Sequence, residues 1–113
     1  MIDQVRPATL PTWFEAQDPG KTGVVLDVRE AAELRTASVT ADGFELLTIP
    51  MNQVPARVAE LDPERALAIL CHTGRRSQHV AMFLEGQGFT RLANVAGGID
   101  AWSTERDPAV PRY

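Results

Sequence analysis

Cysteine is nearly absent from this chain, with one among 113 residues. A single thiol cannot close an internal disulfide and cannot furnish a Cys-rich zinc site. Long hydrophobic runs are missing too: nothing approaches the roughly 18 apolar residues that span a bilayer. A basic excess is also lacking. Lys and Arg total 11 against 15 Asp and Glu, for a formal net charge of −4, whereas dedicated nucleic-acid binders carry a basic excess or stripe. The opening residues MIDQVRPATLP contain no basic segment followed by an apolar one, so no secretory signal is expected. There is no internal repeat and no low-complexity segment. These absences leave the expectation of a small cytoplasmic protein with neither nucleic acid nor membrane as partner.

What is present suffices for a core. Hydrophobic residues make up 44% and charged residues 23%, which argues for one folded domain over residues 1–113. Val24-Val25-Leu26-Asp27-Val28 is a nearly continuous apolar, β-branched run, the pattern of a strand buried on both faces. Leu46 to Ile49, Ala66 to Leu70 and Leu92 to Val95 are further candidate strands. Amphipathic stretches lie between them. Val54, Val58 and Leu61 recur at helical spacing, as do Val80, Phe83 and Leu84. Ser77 is a good N-cap type for the second of these helices, and Gly86 or Gly88 a good C-cap type. Gly97-Gly98 turns the chain into a last short helix through Trp102, and the Pro-containing tail, about 104–113, is expected to be irregular. Alternating strands and helices predict an α/β fold with a parallel sheet covered on both faces.

In such sheets ligands bind where loops leave the C-terminal strand ends. The lone cysteine sits at such a place, in Ala-Ile-Leu-Cys71-His72-Thr73-Gly74-Arg75-Arg76-Ser77: strand, loop, helix. A lone cysteine is most often an inert, buried small hydrophobe. Here three features favour a reactive thiolate instead. The following helix presents free N–H groups and the positive end of its dipole. Gly74 permits a tight loop whose amides converge on an anion. Arg75 and Arg76, with His72, add positive charge. The same cradle would hold an anionic substrate beside the sulfur.

CHTGRRS followed by a helix, then GF, a short strand and GGIDAW, together with LDVRE at 26–30, resembles a single-domain rhodanese of the small bacterial sulfurtransferase kind. The resemblance runs over nearly the whole chain, and its weight lies in the order and spacing of short motifs. It implies a rhodanese-like α/β fold, a central parallel sheet of about five strands with helices on both faces. It implies sulfane-sulfur transfer through a persulfide on Cys71, with 72–76 as the active-site loop and Ser77 opening the next helix. Asp27 and Arg29 match the family's strand-end pair and are read as structural support. One departure stands out: the family's Gly-His-Ile-x-Gly segment is replaced by Thr36-Ala-Ser-Val-Thr-Ala-Asp-Gly43, a loop expected to border the site.

The expected reaction is attack of Cys71 on thiosulfate, a small anionic donor, with Arg75 and Arg76 helping to bind the dianion. No metal or organic cofactor is required. Without a second cysteine the persulfide must pass to an outside acceptor: cyanide, a thiol or a carrier protein. Two rivals exist. A cysteine phosphatase or arsenate reductase of related fold uses Cys-x5-Arg, which would need arginine where Ser77 stands; here Arg76 closes a Cys-x4-Arg loop. A non-catalytic interaction or sulfur-carrier module typically loses the cysteine, which this chain keeps.

Other features mean less. Gly20-Lys21-Thr22 imitates a P-loop but precedes a strand and reads as a turn. Cys71, His72 and His79 lack the further partners of a metal centre. Trp13, Phe14 and Trp102 read as packing residues. Glu30, Glu33 and Arg35 read as a solvated helix face with local pairing.

Overall fold

The apolar run Val24–Val28 is buried throughout, and so are Leu67–Leu70 and Leu92–Val95. Strands buried on both faces need cover on both sides, and the intervening helices supply it. A computed structural model describes residues 1–113, with five strands: β1 (Ile2–Val5), β2 (Gly23–Asp27), β3 (Phe44–Thr48), β4 (Leu67–Leu70) and β5 (Leu92–Val95). They form one all-parallel sheet in the order β1-β5-β4-β2-β3. The helices are α1 (Leu10–Gln17), α2 (Ala31–Thr36), α3 (Val54–Arg57), α4 (Arg75–Gly86) and α5 (Gly98–Glu105), with short 3-10 turns flanking α1 and α3.

The two faces of the sheet carry separate cores. Trp13, Phe14, Phe44, Ile99 and Trp102 fill one. Ile49, Val54, Leu61, Val80 and Leu84 fill the other, and Cys71 belongs to that side. Trp102 and Phe44 meet edge to face with centroids 5.7 Å apart, a favoured aromatic geometry. Arg106 covers both rings, its guanidinium 4.8 Å from Trp102 and 5.4 Å from Phe44.

The alternating pattern and the parallel sheet agree with the sequence expectation, as does the count of about five strands. Several assignments differ; β3, for one, runs Phe44–Thr48 rather than Leu46–Ile49. β1 was not among the candidate strands: Ile-Asp-Gln-Val has apolar residues only at its ends, and its partner β5 lies some ninety positions away in the chain. The stretch from Val54 to Leu61 is not one helix but a four-residue α turn between 3-10 turns, with Pro55 unable to donate a backbone bond. α4 is capped by Gly74 rather than Ser77 and begins at Arg75. α5 runs on to Glu105, so the tail is irregular only after the turn at 107–109. That turn is held down, since Val110 is buried and its carbonyl accepts from Ser103 Oγ.

All strands point the same way, so every strand C-terminus opens onto one edge of the sheet. Cys71 follows β4 at that edge. The turn containing Lys21, which leads into β2, lies at the other.

Candidate functional site

Cys71 leaves the central strand β4 and the chain turns at once into α4. Gly74 makes this possible with φ of 104°, a left-handed conformation that a side chain would resist. The turn folds the Gly74 amide back onto the sulfur, and its N–H donates to Cys71 Sγ at 3.1 Å. The amides of His72 and Thr73 have no protein acceptor, and the first-turn amides of α4 lack intrahelical partners by construction. One N–H thus holds the sulfur, beside further unpartnered amides of the same turn, at the positive end of a 12-residue helix.

Ser77 lies under the sulfur rather than at the cap. It is fully buried, and its Oγ is 3.2 Å from Cys71 Sγ. Its hydroxyl proton goes to Asn94 Oδ1 on β5. Asn94 is oriented by donating from Nδ2 to Gln4 Oε1 on β1 at 2.9 Å and to the Gly74 carbonyl at 3.1 Å. This fixes the direction of the chain: with Ser77's proton committed to Asn94, the neutral thiol donates to Ser77 Oγ.

Asp27 and Arg29 stand at the end of β2, beside β4. Both are buried, and they form a forked pair, with Nη2 to Oδ2 at 2.7 Å and Nε to Oδ1 at 3.0 Å. Burial opposes the Arg29 charge, but bonds to Asp27 and Tyr113 outweigh it and hold its pKa above the ordinary value. Neither residue hydrogen-bonds to the 71–77 segment.

The two loop arginines diverge. Arg75 is exposed and faces a polar depression lined by Gln4, Gln78, His79 and Asn94. It has no ion-pair partner. Arg76 turns the other way, towards α2, and grips Glu33 with both guanidinium arms at 2.6 and 2.7 Å. Glu33 was expected on a solvated helix face; it belongs to the site. Its carboxyl pKa falls to about 2, chiefly through the Arg76 bond, with a smaller lowering from the Tyr113 hydroxyl. The same contact raises Arg76.

Tyr113 closes this side. Its ring stacks on His72 at 4.0 Å, its hydroxyl donates to Glu33 at 2.7 Å, and Arg29 Nη1 donates to that hydroxyl at 3.1 Å. Its phenol pKa is raised, mainly by burial. The His72 ring also bonds through Nε2 to the Tyr113 carbonyl. Thr73 is exposed beside them. Sequence reasoning missed Asn94, Gln4, Glu33 and Tyr113. Only Asn94 gave a signal, as the one polar residue in an otherwise apolar strand.

The loop at 36–43 lies elsewhere. Gly43 leads into the N-terminal end of β3, opposite the Cys71 edge, and the Asp42 carbonyl accepts from Arg106. The expectation that it borders the site fails because the α2–β3 connection runs back to the far edge of the sheet.

The family profile for the Rhodanese-like domain matches residues 10–105. This chain belongs to the rhodanese-like family. A "Sulfurtransferase" of Allochromatium vinosum is 32% identical over 87 residues, covering 77% of this chain and 78% of that protein. The "Rhodanese-like/PpiC domain-containing protein 12, chloroplastic" of Arabidopsis thaliana is 39% identical over 93 residues, 79% of this chain, but the match spans only 30% of that longer relative. Among solved structures, a rhodanese-related protein from Thermoplasma volcanium superposes with a TM-score of 0.76 at 27% identity, covering 98% of this chain and 99% of that one. The rhodanese-like fold expected from the motifs is thus the fold observed. No helix is long and apolar enough to cross a membrane.

Proposed function

We propose that this rhodanese-like chain is a sulfurtransferase that carries a sulfane sulfur on Cys71. The observation that supports this most directly is the Gly74 N–H held 3.1 Å from Sγ in a turn whose other amides, at His72 and Thr73, have no protein acceptor. Such donors suit a thiolate and the anion that approaches it.

In the first step the Cys71 thiolate attacks the outer sulfur of thiosulfate. The S–S bond of the donor breaks, its electron pair leaves with sulfite, and a new Sγ–S bond forms. Loss of the thiol proton leaves a thiolate that the Gly74 N–H continues to hold, while the Ser77 hydroxyl stays on Asn94. Arg75 and the amides meet the charge of the donor. In the second step an external nucleophile such as cyanide, a thiol or a carrier protein takes the outer sulfur, and Cys71 leaves as thiolate. Asp27 and Arg29 act as bracing for the edge that carries the loop.

Incubation with thiosulfate followed by mass spectrometry of the Cys71 peptide tests this reading. One added sulfur atom, released by cyanide as thiocyanate, is the expected result. An unmodified peptide, with the thiol alkylating at an ordinary rate, would point to a non-catalytic interaction module.

A further inference from the structure

Positive charge around Cys71 is plentiful in the sequence and scarce in the structure. Arg29 is paired with Asp27. Arg76 is paired with Glu33. Arg112, at the same rim, is paired with Asp100 through Nε and Nη2 at 2.9 and 3.2 Å. Among the arginines of this region only Arg75 has no carboxylate partner. The Glu33–Arg76 pair is the one built on the first turn of α4: Arg76 immediately precedes Ser77, which touches the sulfur. Both side chains are largely covered, at 21% and 32% exposure. Tyr113 holds the carboxylate from a third direction, and is itself held by Arg29. An incoming anion would have to compete with a forked carboxylate to engage Arg76.

We infer that Glu33 is a positioning residue that sets the charge preference of the Cys71 site, by engaging Arg76 and cancelling its charge. The site then meets an anionic donor with Arg75 and backbone amides alone. This limits its attraction for multiply charged anions and keeps neutral or weakly charged donors competitive. The inference rests on the sulfurtransferase reading only for the identity of the donor. The charge at Cys71 is measurable without any turnover.

Two alkylating agents of nearly equal size, iodoacetate and iodoacetamide, differ by one negative charge, so the ratio of their rates at Cys71 reads the local potential. In Glu33→Gln the amide oxygen still accepts from Arg76 and Tyr113, but the negative charge is gone. One unit charge several ångströms from the sulfur in a half-solvated setting should raise the iodoacetate-to-iodoacetamide ratio roughly two- to tenfold. Arg76→Gln should lower it by a similar factor, and the double variant Glu33→Gln/Arg76→Gln should return to the wild-type ratio. The KM for thiosulfate should fall in Glu33→Gln, with a smaller change in kcat.

A ratio unchanged in folded Glu33→Gln, or a double variant that retains the full Glu33→Gln effect, would overturn the inference, because Glu33 would then not act through Arg76. If Glu33→Gln proves too unstable to assay, a wild-type ratio in the double variant together with a lowered one in Arg76→Gln carries the same conclusion. A shifted ratio with no sulfur loading in any variant would refute the thiosulfate reading while leaving the charge assignment standing.

Discussion

At the scale of the residue, the site depends on polar groups whose partners are all accounted for, since no buried side-chain nitrogen or oxygen lacks one. Asp27→Asn should therefore cost stability out of proportion to its size. It leaves the fully buried Arg29 cation without its counter-charge, a defect that typically costs about 3–5 kcal/mol and would appear as a lowered denaturation midpoint in urea. Cys71→Ser should leave the midpoint near wild type while abolishing sulfur loading; retained turnover would remove Cys71 from the mechanism. Glu33 gives a pH test. Its carboxyl titrates at about 2 in the folded protein against an ordinary 4.5. A depressed folded value means its stabilisation is complete above about pH 5 and fades as the pH falls towards about 2. The stability gap between wild type and Glu33→Gln should narrow over that window when followed by urea titrations at successive pH values. The placement of Cys71 and Gly74 was legible in the sequence because they lie in one short segment, and a strand end followed by glycine and a helix constrains them locally. Glu33 and Tyr113 were not, because they reach the loop through space from α2 and from the tail, at separations of 43 and 41 residues.

At the scale of the element, two helix N-termini converge on one turn of backbone. α4 starts just after the thiol. α5 starts at Gly97-Gly98 and receives the loop carbonyls directly, Ile99 N–H donating to Cys71 O at 2.9 Å and Asp100 N–H to His72 O at 3.2 Å. Gly98 is pressed so closely there that an added Cβ would sit 2.4 Å from the His72 carbonyl oxygen, at a φ of 59°. Gly98→Ala should push the turn at 71–74 outwards. The thermal midpoint and sulfur loading should both fall clearly, because the clash is with backbone at a left-handed φ, as a thiosulfate assay run beside a melting curve would show. The doublet Gly97-Gly98 was legible as a helix-opening turn. Its role as a floor for the loop was not, because β4 and β5 become neighbours only in the folded sheet. The same limit explains Ser77. Its residue type and position fit an N-cap, yet packing carried it inward to Asn94 and left the cap to glycine. β1 shows the limit most plainly. Its four residues carry no strong pattern, and it is a strand because the edge of β5 is open to it. Through Gln4 it still supplies one end of the chain of bonds that leads to the sulfur.

At the scale of the whole molecule, an excess of acid surrounds a site with little net charge of its own. The formal charge of −4 repels a dianionic donor at long range, so the rate of loading from thiosulfate should rise modestly as salt goes from low to physiological strength and screens the repulsion. A steep fall, measured under second-order conditions, would mean that a larger basic patch steers the donor. The parallel sheet has one further consequence, and it is practical. The chain contains a single lysine, Lys21, in the exposed turn that leads into β2, while Cys71 follows β4 at the opposite edge. The only side-chain amine and the only thiol thus occupy opposite poles of the molecule. A support or dye coupled through Lys21 would leave the Cys71 edge of the sheet pointing away from it, so the fold orients an attached molecule without any engineered residue.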